Sequence, residues 1–337
     1  MDCKGGIAVN PDCARMLRRI DNAQRIINSQ RPLNPEEVKN LDNYFRIGLT
    51  YSSNALEGNS LTLAETKVAI EDGLTVGGKT IKDYSEAIGH AKAYDFMISF
   101  ARKKELRLDE NLVLSIHRLL YSGIDVQNAG TYRTRQVYIS GTEYIPPEAE
   151  DVPRLMTQFI KSFNSRIQSR HPLESAVWAH LQLVSIHPFV DGNGRTARLL
   201  MNLILISQGY CVVSVSPAVR HDYISALISA QRDKRPDDTA FHRLIFQGEI
   251  EAQKDYSRLL RIPARCLTKN FIAAPPSGNY EGTIVRVSAE NGNCLQTVGE
   301  NDLLLHQLAD LPSVPKAGQT VRISYGQEDG KACMTEL

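Results

Sequence analysis

The sequence predicts a mainly α-helical fold with one short hairpin or flap and a small β-rich region toward the C-terminal end. Apolar residues recur at helical spacing from about residue 11 to residue 265. β-Branched residues alternate in a short segment over 132–139, and a proline- and glycine-rich stretch over 273–279 precedes several strand-like runs. A chain of 337 residues with 42% hydrophobic residues is long enough for two or three structural units.

The helices of the first part can be placed by the signals at their ends. The run 34–37, Asn-Pro-Glu-Glu, supplies a cap, a first-turn proline and acids that face the helix dipole. We expect this helix to run to about Leu56 and to stop at Gly58. Thr62 and Glu65 fit a capping box at the start of the next helix. Further helices are predicted over 83–103, 108–121, 150–169, 172–186, 194–208, 219–231 and 237–262.

Strand signals are confined to two places. Tyr132–Ile139 alternates and is followed by turn residues, which predicts a short hairpin or flap on the helical body. Near the C-terminal end, Thr283–Val287 and Thr320–Tyr325 are typical of strands, and Asn291-Gly292 is a strong hairpin signal. We therefore divide the chain into a helical N-terminal region over 1–104, a helical core over 105–265, a linker over 266–276 and a β-rich domain of barrel or roll type over 277–337.

Charge and cysteine usage limit the classes of partner and compartment. The chain has 39 basic and 38 acidic residues, so it has no overall attraction to nucleic acid or to an anionic membrane. Its six cysteines lie far apart without a Cys-x-x-Cys pair, which indicates free thiols in a reducing compartment. The first residues lack a signal-peptide core, and the longest apolar run, 199–206, is too short to span a bilayer. We expect a soluble, cytoplasmic protein.

The run from His187 to Arg198, HPFVDGNGRTAR, carries most of the chemical information in the chain. A turn with two glycines opens onto the apolar run 199–206, so the free N–H groups of a helix start can bind an anion such as phosphate. The side chains of Arg195 and Arg198 can add donors to phosphate oxygens. The carboxylate of Asp191 is a ligand for Mg²⁺, and His187 can move a proton. The run therefore predicts a nucleotide site.

The run also suggests two other kinds of site. The glycines of the run formally match a Rossmann fingerprint, but no strand–helix alternation surrounds them and no acid follows about twenty residues on, so we reject it. No Walker lysine follows either. A metal site from His180, His187 and Asp191 is conceivable, because the histidines stand seven apart on a predicted helix. Buried structural roles are the expected ones for His180, His90 and His117.

Residues 187–198 resemble, position for position, the signature of Fic-domain proteins, His-x-Phe-x-(Asp/Glu)-Gly-Asn-Gly-Arg-x-x-Arg. The run Ser53-x-x-x-Glu57-Gly58 resembles the inhibitory motif of the family, in a position typical of members with an N-terminal inhibitory helix. Residues 129–147 are similar to its target-docking flap. The resemblance covers about residues 10–250 and implies a Fic-type helical bundle with a β-hairpin flap. The C-terminal part faintly resembles KfrB-type domains.

The resemblance implies transfer of AMP from ATP to a Ser, Thr or Tyr hydroxyl of a target protein, with Mg²⁺ on the phosphates. His187 takes the role of general base, Asp191 that of metal ligand, and Arg198 that of γ-phosphate contact. The flap residues Ile139, Ser140, Gly141 and Thr142 would align the target backbone as an added strand. The implied nucleotide-binding residues are Asp191, Gly192, Asn193, Gly194, Arg195, Thr196, Ala197, Arg198, Tyr223 and Gln231, of which Gln231 departs from the more usual Asn.

The same resemblance gives Glu57 an inhibitory role with Ser53 and Gly58. A carboxylate that reaches Arg198 would form a charge-assisted pair with the guanidinium that the γ-phosphate needs. ATP would then bind misaligned, and the resting enzyme would be weakly active.

Two alternatives stay open at this point. Glu57 could also position water for removal of AMP from a target, which would make the protein a de-AMPylating or bifunctional enzyme. The chain could instead be a DNA-associated regulator with a vestigial Fic core. The basic residues Arg286, Lys316 and Arg322 form too small a footprint for strong nucleic-acid binding, so we do not expect that partner. The sequence leaves homo-oligomer formation open.

Overall fold

The computed structural model describes residues 10–75, 77–102, 106–273, 277–326 and 331–337. The helices are α1 Pro11–Asn28, α2 Pro35–Leu56, α3 Leu63–Glu71, α4 Ile81–Ala101, α5 Glu110–Tyr121, α6 Val152–Arg166, α7 Pro172–Ile186, α8 Asn193–Ser207, α9 Arg220–Ala230 and α10 Thr239–Leu259. The strands are β1 Asn270–Ala273, β2 Gly278–Ser288, β3 Asn293–Val298, β4 Asp302–Gln307, β5 Thr320–Tyr325 and β6 Ala332–Glu336. The predicted mainly helical fold with a C-terminal β-rich part is confirmed.

The helix ends follow the predicted capping signals. Asn34 accepts a hydrogen bond from the backbone N–H of Glu37, and the Glu37 carboxylate accepts from the N–H of Asn34. Thr62 and Glu65 form the expected reciprocal capping box before α3. The helix α2 ends at Leu56, and Gly58 has a left-handed φ of 92°, so the chain turns where a glycine is favoured.

The chain forms two compact units. The first consists of Asn43–Glu249 with a short stretch that ends at Cys13, and the second joins Ala14–Asp42 to Ile250–Leu337. Both units are discontinuous in sequence, whereas each of the four segments predicted from the sequence is continuous. The division into four segments stays a prediction. Its linker 266–276 includes β1, which pairs in parallel with β4, and its residues 274–276 lie outside the described chain.

In the first unit, α8 is the central helix. It packs against α4, α5 and α7. The apolar run 199–205 is nearly inaccessible to solvent along its whole length, as expected for a buried helix. This burial on several sides fixes the start of α8, where the anion-binding turn lies.

The segment predicted as a hairpin differs in detail. It turns at Ser140 and Gly141, but the described residues 131–148 contain no assigned strand. Pro146 and Pro147 have no N–H to donate to a ladder. Their carbonyl groups instead accept side-chain hydrogen bonds, from Gln136 Nε2 to Pro146 and from Arg133 Nη2 to Pro147. Side chains therefore close this flap where a hairpin would use backbone pairs.

In the second unit, the six strands form one sheet in the order β1-β4-β3-β2-β5-β6. Residues 289–292, with the predicted Asn291-Gly292, connect the antiparallel strands β2 and β3. A buried His306 bonds Tyr325 and Gln296 across the sheet. Among the described strands, β1 and β6 each pair on one side only, so the pairings form an open sheet and do not close it into a barrel, one of the two types expected for this domain.

No helix within the described ranges has the length and apolar character that a membrane crossing requires.

Candidate active site

The turn between α7 and α8 has a tightly fixed backbone. The helix α7 ends at Ile186, and His187 adopts a left-handed conformation with φ 50° and ψ 58°. Gly192 is also left-handed, with φ 77°, and caps α8. The side chain of Asn193 donates to the carbonyl of Phe189 and accepts from its N–H, both at 2.9 Å. These two hydrogen bonds occupy the side chain of Asn193, so the group of Asn193 that can bind an anion is its backbone N–H.

His187 is oriented as a base. Its Nδ1 lies 3.2 Å from the carbonyl oxygen of Val184, which can only accept, so Nδ1 carries the proton of the neutral ring. The Nε2 atom therefore keeps a lone pair. Burial lowers the pKa of His187 from its ordinary value, although the Val184 contact opposes this shift. The neutral ring can accept a proton from a hydroxyl group at neutral pH.

A three-residue metal site from His180, His187 and Asp191, considered as an alternative, has no support in the described chain. His187 lies beyond the end of α7, so the expected shared helical face with His180 is wrong. The described chain contains no group of three or more His, Cys, Asp or Glu residues that could hold a metal ion. His180 has the buried role expected of it and contacts the hydroxyl of Tyr223 at 3.0 Å through Nε2.

The start of α8 forms an anion cradle. The N–H groups of Asn193, Gly194 and Arg195 belong to the first helical turn and have no carbonyl partner within the helix. The helix dipole adds partial positive charge at this end. Thr196 bonds back to the carbonyl of Gly192 with both its N–H and its hydroxyl, and Ala197 is fully buried. Thr196 and Ala197, which were predicted to bind the nucleotide, therefore stabilise the first turns of the buried helix.

Asp191 lies beside the cradle, and its side chain is 53% exposed. The hydroxyl of Tyr121 donates to Oδ2 at 3.2 Å, and the N–H of Gly192 donates to Oδ1 at 2.6 Å. These bonds orient the carboxylate while leaving it accessible. An oriented, accessible carboxylate next to a phosphate cradle fits Mg²⁺, which binds through one or two carboxylates and the oxygens of substrate phosphates.

His117 supports the same turn from α5. Its Nδ1 accepts from the N–H of Gly130 at 2.9 Å, so Nε2 carries the proton and donates to the carbonyl of Asp191 at 3.0 Å. The ring stacks on Phe189 with 3.7 Å between centroids. Burial lowers the pKa of His117 to about 4, so this ring stays neutral.

A pH-dependent stability follows from His117. Its pKa is about 4 in the folded chain and about 6.5 in the unfolded chain, so the unfolded chain binds the extra proton first as the pH falls. Between about pH 7 and pH 5 this group alone should remove about 2 kcal/mol from the free energy of unfolding. Urea denaturation at both pH values measures the loss. The variant His117→Gln should lose less stability over this range; an equal loss would contradict the assignment.

The two arginines of the run are buried and differently engaged. Arg195 Nη1 lies 3.0 Å from Glu86 Oε1, and Arg195 Nη2 lies 3.6 Å from Asp191 Oδ2. Glu86 also accepts from Asn59 Nδ2 at 2.8 Å. Because Glu86 balances its charge, Arg195 can remain buried and support Asp191.

Arg198 is held by the end of α2. Its Nε donates to Ser53 Oγ and its Nη2 to the Ser53 carbonyl, both at 2.9 Å. Nη2 also donates to Glu57 Oε1 at 2.7 Å, and Nη1 donates to the hydroxyl of Tyr223 at 3.1 Å. The guanidinium is buried, and the Glu57 side chain is 39% exposed. The predicted contact between Glu57 and Arg198 is therefore present.

Glu57 also lies against the cradle. A Cβ atom on Gly194 would come within 2.4 Å of Glu57 Oε1, so only glycine allows this approach. Arg220 Nε donates to the carbonyl of Leu56 at 2.8 Å and holds the end of α2. The carboxylate thus lies at the helix start where a phosphate group would bind.

The two residues expected around adenine have different hydrogen-bond partners. Tyr223 is buried and supports Arg198. Gln231 lies after α9, where its Nε2 donates to Ser185 Oγ at 3.2 Å. Gln231 lines a cavity of about 880 Å³ together with Gly141 and Thr142 of the flap. The residues Ile139 and Ser140 do not line this cavity.

Several residues of this site were not predicted: Glu86, Tyr121, Arg133 and Arg220. Tyr121 follows His117 by four positions, so both lie on one face of α5 and a polar pair there was a usable signal. Glu86 and Arg220 carry no local signal, because their partners lie far away in sequence.

A helical body that presents an anion cradle, two buried arginines and a neutral imidazole at one helix start defines a class of site suited to nucleotide phosphates. Residues 107–205 match the model of the Fic/DOC family, and residues 279–336 match the model of the KfrB domain. Residues 107–205 are therefore similar to Fic/DOC domains, and residues 279–336 are similar to KfrB domains.

Individual relatives agree with this assignment. The protein adenylyltransferase Fic of Nematostella vectensis is 38% identical over 192 residues, which cover 55% of this chain and 44% of that protein. The enzyme of the same name from Drosophila virilis is 39% identical over 189 residues and is covered to 38%. The chain thus spans less than half the length of these relatives.

Solved structures share the fold. The Fic-1 protein of C. elegans superposes with a TM-score of 0.65 at 29% identity, over 74% of this chain and 72% of that one. A Fic domain-containing signaling protein from Bacteroides thetaiotaomicron gives a TM-score of 0.64 at 26% identity, over 71% of this chain and 97% of that one.

Proposed function

We propose that this protein is a protein adenylyltransferase that transfers AMP from ATP to a Ser, Thr or Tyr hydroxyl of a target protein, with Glu57 as its inhibitor. The observation that carries the proposal is the unprotonated Nε2 of His187 beside the open N–H groups at the start of α8. The relatives named protein adenylyltransferase Fic support the same activity.

The residues divide the reaction between them. The cradle at the start of α8 binds the phosphates through the backbone N–H groups of Asn193, Gly194 and Arg195, which need no reorganisation during the reaction. His187 takes the proton of the attacking hydroxyl, and the oxygen then bonds to the α-phosphorus as pyrophosphate leaves. Asp191 would hold Mg²⁺, which neutralises phosphate charge when bound. Arg198 would contact the γ-phosphate once Glu57 withdraws.

The position of the label in ATP tests this proposal directly. Protein labelling from ATP marked at the α-phosphate, with none from ATP marked at the γ-phosphate, identifies AMP transfer. The opposite pattern would identify phosphate transfer and contradict the proposal. The assay needs the Glu57→Gly variant, because the resting enzyme is expected to be weakly active.

Substitution of Tyr121 should change the Mg²⁺ concentration that the reaction requires. The variant Tyr121→Phe loses the hydroxyl that orients Asp191, so half-maximal activity should require roughly tenfold more Mg²⁺, as for other lost partners of metal ligands. Titration of AMP transfer with Mg²⁺ measures this. Tyr256→Phe is the matched control, because it also removes a tyrosine hydroxyl that takes part in a side-chain hydrogen bond, here with Arg31. Equal Mg²⁺ requirements in both variants would remove Tyr121 from this role.

The reverse reaction is a second candidate. The half-exposed carboxylate of Glu57 lies at the cradle, where it could orient a water molecule toward an AMP group on a target. Incubation of an AMP-modified target with the unaltered enzyme would release AMP if the protein is bifunctional. The Glu57→Gln variant should abolish this release.

Binding to DNA has little support in the charges of the second unit. Arg286 is paired with Glu37 and Arg322 with Glu281, each at 2.6 Å. Two of the three basic residues considered for a nucleic-acid surface are therefore neutralised. Binding that falls steeply with salt would revive this alternative. A cytoplasmic location completes the proposal, while homo-oligomer formation stays open.

A further inference from the structure

We propose that Arg133 is a positioning residue that fixes the catalytic backbone at His187 and the target-docking flap with one side chain. The inference rests on the proposed function, in which His187 is the base and the flap aligns the target. No catalytic contact is assigned to Arg133 itself. Its effect is to set the distance between the base and the docked hydroxyl.

Arg133 is buried, with 3% of its surface exposed, and it serves three stretches of backbone. Its Nε donates to the carbonyl of His187 at 2.8 Å, and its own N–H donates to the carbonyl of Pro188 at 2.9 Å. Its Nη1 donates to the carbonyl of Arg135 at 3.1 Å, and its Nη2 donates to that of Pro147. A planar fork of donors suits this task, because it can reach separate acceptors at once.

The charge of Arg133 has no direct partner to explain its burial. Within the described ranges its side chain forms hydrogen bonds to carbonyl and amide oxygens and makes no ion pair. Burial lowers the pKa of Arg133, and the more distant charge of Glu148 opposes this only in part. An arginine buried without a carboxylate is costly, so its hydrogen bonds must account for its place.

His187 needs such support. It is a non-glycine residue with φ 50°, and it precedes Pro188, which further restricts its backbone. A conformation of this kind costs on the order of 1–3 kcal/mol and persists only where its surroundings determine it. Arg133 supplies two of the bonds that do so, at His187 and at Pro188. The direction of the imidazole depends on that backbone.

The flap depends on the same guanidinium. Pro147 lies at the return end of the flap and Arg135 at its beginning, and both carbonyls accept from Arg133. Gln136 holds the neighbouring carbonyl of Pro146 at 2.8 Å. Gln136 also accepts a hydrogen bond from Arg133 Nη1 at 3.3 Å, but its own bonds lie within the flap and do not reach the histidine turn. This difference makes Gln136 the matched control for Arg133.

Hydrogen exchange measured by mass spectrometry separates the two roles without an activity assay. Arg133→Lys keeps the charge but loses the fork. We expect exchange to accelerate together in residues 135–148 and 184–191, with α10 unchanged. Gln136→Ala should accelerate exchange in the flap alone. Acceleration of the flap alone in Arg133→Lys, or no change at all, would overturn the inference.

Kinetics in the Glu57→Gly background give the second readout. Arg133→Lys should lower kcat by roughly 10²-fold, the cost of a small misplacement of reacting groups, with the Kd for ATP unchanged. Gln136→Ala should raise KM for the target more than it lowers kcat. An unchanged kcat in Arg133→Lys would contradict the positioning role.

The two proposals fail in different ways. If Glu57→Gly itself transfers no AMP, the proposed function is wrong, and the exchange experiment still decides the role of Arg133. Increased exchange throughout α10 would show that Arg133→Lys does not fold. In that case Arg133→Gln is measured in its place. That variant removes a charge without leaving a directly paired carboxylate, so it should fold and give the same paired acceleration.

Discussion

Glu57→Gly should raise AMP transfer by roughly 10- to 100-fold. A hydrogen bond to a charged group contributes about 1.5–3 kcal/mol, and removal of the bond between Glu57 and Arg198 should increase the rate by the corresponding factor. The substitution removes the carboxylate that lies 2.7 Å from Arg198 Nη2 and against Gly194. Ser53 still holds the guanidinium through Nε and Nη2, so Arg198 should stay in place for the γ-phosphate. Labelling of target or enzyme by ATP marked at the α-phosphate measures the increase.

Two further variants define the cause. Glu57→Gln keeps the size of the side chain but removes its charge, so its activity should lie between those of the wild type and Glu57→Gly. Glu71→Gly is the matched control, because Glu71 likewise lies at the C-terminal end of a helix and is 3.8 Å from its ion-pair partner, the exposed Lys67. Equal labelling by wild type and Glu57→Gly would refute inhibition by Glu57.

His187→Ala should lower AMP transfer by roughly 10²–10⁴-fold, the usual contribution of a general base. ATP affinity should remain, because the phosphate cradle consists of N–H groups at the start of α8 and does not include the imidazole. Measurements of kcat and of the Kd for ATP on the same preparations separate the two effects. Loss of ATP binding in parallel with activity would point to a collapsed turn.

The backbone at this position requires a second variant. Alanine is strained at φ 50°, whereas asparagine tolerates the left-handed region. His187→Asn should therefore keep the thermal stability of the wild type and still lack the base. If the asparagine variant retained full activity, His187 would not be the general base.

Local signals in the sequence predicted most of the elements. The ends of α2 and α3 follow from Asn34, Glu37, Gly58, Thr62 and Glu65, because capping depends on groups within a few residues. The anion cradle was predicted for the same reason. A glycine turn before a buried helix creates free N–H groups whatever the rest of the chain does.

Other features could not be predicted locally. The flap lacks strands because Arg133 and Gln136 satisfy its proline carbonyls, an arrangement that alternation along the chain cannot indicate. His180 and His187 were placed on one helical face, but α7 ends between them. The role of Glu86 depends on Arg195, which lies 109 residues further along the chain. The role of Arg220 depends on the carbonyl of Leu56, which lies 164 residues before it.

The sequence by itself determined the chemical groups of the site, because base, carboxylate, cradle and arginines lie within one run of twelve residues and one helix start arranges them. The tertiary structure decided how those groups are held and restrained. Glu57 meets Arg198 across 141 residues, and Arg133 reaches His187 across 54. Packing of α8 against other helices of its unit buries its arginines, so that distant side chains become their partners.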